Sequence, residues 1–222
     1  MNTVIMKTTI AVAFAGALLA GSAHAEEDRD DARPAFLDSM PRPTVKRVSA
    51  TGEGCPVSSA VSASFSGDAS RLTLRFGEGQ MTARVGPGIP TEDVLSACEL
   101  QLVLGIPRGY RVAIQQATYQ GFADMDPGTL AFHSTRYWFL GTRAPARMAT
   151  LQGGKSREPY TLNASFGPTA VSSFCGSQRP LFINVAVGVT TLGNPSRHAM
   201  VVLGGRDREV SYRLDWTQCP SE

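Results

Sequence analysis

The stretch "SATGEGCPVSS", Ser49–Ser59, admits three readings, and the choice among them decides the fold. A phosphate-cradling loop sits between a strand and a helix and is closed by Lys-Ser or Lys-Thr. Here Val57 and small polar residues lead instead into another alternating run, "AVSASFS", and no helix begins. A metal site needs ligands in close pairs such as Cys-x-x-Cys, and Cys55 has no such neighbour. The third reading is a strand that ends at a disulfide anchor. Gly52 and Gly54 then relax the backbone where the strand bends, and Pro56 stops its pairing. The residues favour this structural reading.

The rest of the chain supplies the partners that reading requires. It contains 4 cysteines, Cys55, Cys98, Cys175 and Cys219, each separated from the next by tens of residues. An even number in an exported chain points to two disulfides. Four cysteines permit three pairings, and spacing alone does not choose among them. Sequential pairing, Cys55–Cys98 and Cys175–Cys219, closes each half of the chain as its own loop and is the preferred arrangement. Zinc is disfavoured by the spacing, and a catalytic cysteine by oxidation on export. No metal or cofactor is expected.

Export itself is read from the first 25 residues. Lys7 precedes the uncharged run "TTIAVAFAGALLAGSAHA", which ends in the small-residue site Ala23-His24-Ala25. A basic start, an apolar core and small residues at −3 and −1 describe a cleavable secretory signal peptide over 1–25. Its core, Ile10–Ala20, is shorter than the roughly 20 residues that span a bilayer. The expected location is therefore secreted or periplasmic, with no membrane span after cleavage. Residues 26–43, "EEDRDDARPAFLDSMPRP", are charged and then broken by proline, the composition of a flexible segment. Residues 44–222 are expected to form one disulfide-braced β domain. Removing Lys7 from the 21 basic residues leaves them one more than the 19 acidic ones, a balance that argues against a nucleic-acid binder.

From Thr44 onward the patterning has period 2. In "RLTLRF", Leu72, Leu74 and Phe76 alternate with Arg71, Thr73 and Arg75. In "CELQLVL", Cys98, Leu100, Leu102 and Leu104 share a face. "VSYRLDW" sets Val210, Tyr212, Leu214 and Trp216 against Ser211, Arg213 and Asp215, and "PLFINVAVGVTT", apolar on both faces, reads as a central strand. Clusters such as "VGPGIP", "DPG", "QGGKS" and "LGNPS" punctuate the runs. An all-β fold follows, an antiparallel, jelly-roll-like sandwich of roughly 8–12 strands. One short helix is expected near 91–97, where Thr91 can cap "TEDVLSA".

Few residues offer chemistry. "FADMDPG" places Asp124 and Asp126 on one side of an extended segment, with His133 seven residues beyond Asp126. Paired carboxylates suit acid–base catalysis or calcium, although an Asp-Pro-Gly turn explains them equally. No Gly-x-Ser-x-Gly elbow exists. In "TRYWFLG", Tyr137 and Phe139 face one way and Trp138 the other, so Trp138 is either exposed or covered by a loop. An exposed aromatic on a sandwich is a platform for sugar rings or partner side chains.

Several segments in order, "SATGEGCPVSSAVS", "VGPG", "ACELQLVLGIPRGYRVAI", "TYQGFADMDPG", "STRYWFLG", "FCG", "LFINVAV" and "SYRLDW-x-x-C", resemble the domain-of-unknown-function 4360 family of small secreted proteins. The resemblance spans Val45–Cys219. It implies an exported protein with cysteines matching Cys55, Cys98, Cys175 and Cys219, consistent with two disulfides, and it transfers no activity. This chain departs from the family around Arg75–Val85, which lacks an aromatic before the "GPG" turn, and at "SSF" before Cys175. The expectation is a non-enzymatic binding module for a glycan or an envelope or extracellular protein, with Trp138, Asp124, Asp126 and His133 as candidate contacts. The alternative is a hydrolase of an extracellular polymer acting through Asp124 and Asp126.

Overall fold

A computed structural model describes residues 36–204 and 209–220; the expected signal peptide over 1–25 lies outside them. Strands follow in the order β1 (Thr44–Thr51), β2 (Ser62–Phe65), β3 (Arg71–Arg75), β4 (Thr82–Val85), β5 (Leu95–Gly105) and β6 (Tyr110–Met125). They continue with β7 (Leu130–Phe139), β8 (Arg147–Gln152), β9 (Lys155–Ser165), β10 (Leu181–Thr190), β11 (Ala199–Leu203) and β12 (Val210–Gln218). All pairings between these strands are antiparallel. They form a five-stranded sheet, β1-β5-β10-β7-β8, packed on a second sheet, β2-β3-β12-β6-β11-β4, whose β6 also carries β9. The chain is an all-β sandwich.

The second sheet is organised by β6, whose 16 residues pair on both edges. One edge takes β12 along Tyr110–Tyr119 and then β11 along Gly121–Met125, while β9 takes the other. Gln120 closes the gap, accepting from Gly204 N at 2.9 Å and donating to Glu209 O at 3.1 Å. β11 and β12 thus lie end to end along one edge of β6, on either side of Gln120.

The alternation read from the sequence becomes the core. Leu72, Leu74 and Phe76, and Cys98, Leu100, Leu102 and Leu104, are all buried. So are Val210, Tyr212 and Trp216, whereas Leu214 is half-buried, beside a register shift between Arg213 and Leu214. β10 is central, between β5 and β7, but alternates more cleanly than its composition suggests. Leu181, Ile183, Val185 and Val187 face inward, and Phe182 and Asn184 lie half-buried on the outer face. Residues 91–97 do not form a helix throughout. A 3-10 turn occupies Thr91–Val94, with Pro90 at its N-cap position and no side-chain cap, and Leu95 already pairs with Gly188 of β10. The ladder to β10 takes the backbone that a longer helix would need. Within the 26–43 segment, Phe36–Ser39 makes one α-helical turn, Phe36 stacks on Tyr110 at 5.9 Å, and Met40 is buried.

The stretch at Ser49–Ser59 closes β1 against β5. Gly52 has φ 130°, and a Cβ there would lie 2.4 Å from the Ala97 carbonyl oxygen. At Gly54 a Cβ would meet Met81 Sδ at 2.6 Å. Gly54 N donates to Ala97 O at 2.8 Å, Gly54 O accepts from Met81 N at 2.8 Å, and Ala50 N donates to Ser58 Oγ at 2.9 Å. One residue on from each of these backbones, Cys55 and Cys98 are bridged, and both are buried. The second bridge joins Cys175 to Cys219. The glycines serve a backbone crossing that side chains cannot enter. Gly52→Ala is expected to cost at least about 2 kcal/mol, through backbone strain and the clash with Ala97. A thermal melt reads this as a fall of several degrees; an unchanged melting temperature would contradict the packing.

The inner face of β7 is Ala131, His133, Thr135, Tyr137 and Phe139. His133 is fully buried, its ring between Tyr119 of β6 at 5.1 Å and Tyr160 of β9 at 5.2 Å. Among the described residues neither ring nitrogen has a hydrogen-bond partner. Burial disfavours the cation and pushes the pKa from the ordinary 6.5 down to about 3. The unfolded chain therefore binds this proton preferentially between those values. Stability falls as pH drops through that window, and the group contributes no pH dependence above it. From pH 7 to 4.5 the loss attributable to His133 is about 2–3 kcal/mol. Denaturant titrations across that range should show it in the wild type and not in His133→Phe, which keeps an aromatic ring between the tyrosines; parallel slopes would refute it.

Candidate functional site

The same alternation that buries Tyr137 and Phe139 turns Trp138 outward. Tyr137 anchors the end of β7: its one hydroxyl proton lies within donating distance of the carbonyls of Ile114 and Val171, each at 3.0 Å, and the oxygen accepts from Val171 N at 2.8 Å. Burial raises its pKa and keeps it a neutral donor. Its ring meets Phe166 edge-on at 4.8 Å. With Tyr137 fixed inside, Trp138 is held half-buried on the outer face of the five-stranded sheet.

Trp138 does not stand alone there. Its register partner on β10 is Phe182, and the two rings stack at 5.3 Å with planes 8° apart. After Phe139 the chain turns back on β7: Thr142 N donates to Phe139 O at 2.9 Å and Ala144 N to Tyr137 O at 3.0 Å. Arg143, held between those two contacts, lays its guanidinium 5.6 Å from the Trp138 ring centroid. Such a cation over an indole is worth about 0.5–1 kcal/mol at an exposed site. Beside this group lies a cleft of about 250 Å³, lined by Glu99, Ser134, Arg136, Trp138, Arg143 and Asn184.

The other candidate residues are not brought to this place. Asp124 lies on β6 in the opposite sheet, half-buried, with its carboxylate 3.4 Å from Arg157 Nε. Asp126 is exposed in the turn after β6, where Oδ2 accepts from His198 N at 2.7 Å. His133 is in the core between the sheets. Each carboxylate has its own structural partner, and the imidazole is enclosed by Tyr119 and Tyr160. The described residues contain no group of three or more His, Cys, Asp or Glu placed to hold a metal ion.

Sequence reasoning singled out Trp138 but missed Phe182, Arg136, Arg143, Asn184 and Glu99. Arg136 shares the Trp138 face by the same alternation and Arg143 follows in the turn, but only the register of β10 with its neighbours brings Phe182, Asn184 and Glu99 there, and period-2 patterning does not specify which strands pair. One signal was available. Extending the "TRYWFLG" alternation back by two steps puts Thr135 and His133 on the Tyr137 face, which identifies His133 as a core residue.

Comparisons with known proteins bear on the whole chain. An uncharacterized secreted protein of Arthroderma benhamiae is 30% identical over 173 residues, covering 76% of this chain and 68% of the relative. Among solved structures, TmCBM61 in complex with beta-1,4-galactotriose is 11% identical with a TM-score of 0.26, over 79% of this chain and 90% of that one. A putative sugar binding protein from Bacteroides thetaiotaomicron is 9% identical, also at 0.26, over 76% and 87%. Likenesses at that TM-score carry neither fold nor ligand to this chain. The family model described as Domain of unknown function (DUF4360) matches residues 41–219, the whole sandwich. The chain belongs to the DUF4360 family.

Proposed function

We propose that the protein is an exported, disulfide-braced binding module that engages a glycan or an extracellular partner with the outer face of its five-stranded sheet. The observation that carries this reading is the Trp138–Phe182 stack, half-exposed beside a polar cleft and backed by a rigid core. Aromatic planes fixed on a sheet offer contact area at low cost in conformational entropy. Two disulfides support an oxidising location, as do the description of the Arthroderma relative as secreted and the signal-like first 25 residues. The hydrolase reading has less support, because Asp124 and Asp126 already hold Arg157 and the His198 amide.

The test is Trp138→Ala. The substitution removes an outer-face stack worth about 0.5–1.5 kcal/mol and leaves the core intact, so the melting temperature should fall by only a few degrees. Binding to glycan arrays and envelope fractions should weaken about tenfold or more, as for a central interface aromatic. Unchanged affinity for every ligand found, at comparable stability, would remove Trp138 from the site.

A further inference from the structure

The cleft beside Trp138 has a pattern of charge and hydrogen-bonding groups that narrows what it can hold. Register places its floor: Asn184 of β10 pairs with Glu99 of β5 on one side and Arg136 of β7 on the other. A carboxylate and a guanidinium therefore flank an amide, each one strand away, about 5 Å per step. Among the described residues neither Glu99 nor Arg136 takes a side-chain hydrogen bond or ion pair, so both are available to a ligand. At the mouth, the Arg143 guanidinium lies 5.6 Å from the Trp138 ring centroid. Among the described residues it makes no side-chain hydrogen bond or ion pair, so its N–H donors are open to a carboxylate.

The balance is two guanidiniums against one carboxylate, with Asn184 and Ser134 able both to donate and to accept. An apolar ligand would strip water from these groups and leave them unpaired, which is costly. A densely anionic ligand would be repelled by Glu99. A ring bearing both a carboxylate and hydroxyls meets every group at once: the carboxylate on the guanidiniums, a hydroxyl donating to Glu99, and the others on Asn184 and Ser134. We propose that this cleft binds an acidic, uronate-bearing oligosaccharide, with Arg136 and Arg143 receiving its carboxylate and Glu99 and Asn184 its ring hydroxyls. The assignment rests on the outer-face reading above and adds the ligand class. An acidic peptide would supply the carboxylate but not the ring hydroxyls that Glu99 and Asn184 are placed to bind.

The experiment is calorimetry on the oxidised protein, with intrinsic fluorescence as a second readout. Of its 2 tryptophans, Trp216 is buried and Trp138 borders the cleft. The probes are tetragalacturonate, its carboxyl-reduced neutral counterpart and tetraglutamate, each at low and high salt. Tetragalacturonate should bind saturably and perturb the tryptophan signal. It should weaken about tenfold or more in Arg136→Gln and in high salt. Arg143→Gln, in an exposed loop, should weaken it similarly and guards against misfolding of the strand variant; melting curves report the fold of both. Equal binding of the neutral tetramer would overturn the acidic assignment and leave the Trp138 surface standing if that binding is lost in Trp138→Ala. Equal binding of tetraglutamate would overturn the sugar assignment. No binding of tetragalacturonate would overturn the proposal outright.

Discussion

The arrangement depends on a backbone crossing that only glycine permits, locked by a covalent bond. Gly52 and Gly54 lie against the Ala97 peptide, and Cys55 is bridged to Cys98 beside it. The bridge closes a sequence separation of 43 residues, worth about 4 kcal/mol in the chain-entropy account. That is a large share of the net stability of an ordinary domain. The consequence extends beyond β1. Cys98 is on β5, which pairs with β10, and β10 pairs with β7, the strand that carries Trp138. The crosslink thus seats one edge of the sheet whose outer face carries the candidate site, beginning at Glu99 beside Cys98.

β7 shows how one short sequence does two jobs. Its odd-numbered residues, from Ala131 to Phe139, fill the core, and its even-numbered ones, Ser134, Arg136 and Trp138, border the outer cleft. A one-residue slip in register would exchange the two sets. The core side has strong reasons not to slip: the Tyr137 hydroxyl is tied to Ile114 and Val171, and His133 is enclosed between tyrosines. Rigidity on the outer face is therefore inherited from packing on the inner one, a preorganisation that lowers the entropic cost of the binding proposed for the shallow cleft.

Much of this was legible in the chain. The alternations at Leu72–Phe76, Cys98–Leu104 and Val210–Trp216 mark strands because a half-buried sheet repeats every two residues, and the structure buries the expected faces. Other features depend on pairing, which is non-local. Nothing near Trp138 in the chain announces Phe182, which reaches it only because β10 lies beside β7. The acidic pair Asp124 and Asp126 looked like chemistry because spacing reports which face a residue takes and not what already occupies it. The turn at Thr91–Val94 stayed short because pairing with β10 outweighed local helix capping.

The proposed binding role stands on the covalent frame before any ligand is considered. The most direct measurement is non-reducing peptide mass mapping of protein recovered from outside the cytoplasm. The account requires two crosslinked peptides, one joining Cys55 to Cys98 and one joining Cys175 to Cys219, with no free thiol. Crossed connectivity, unoxidised sulfhydryls or stoichiometric zinc would contradict it.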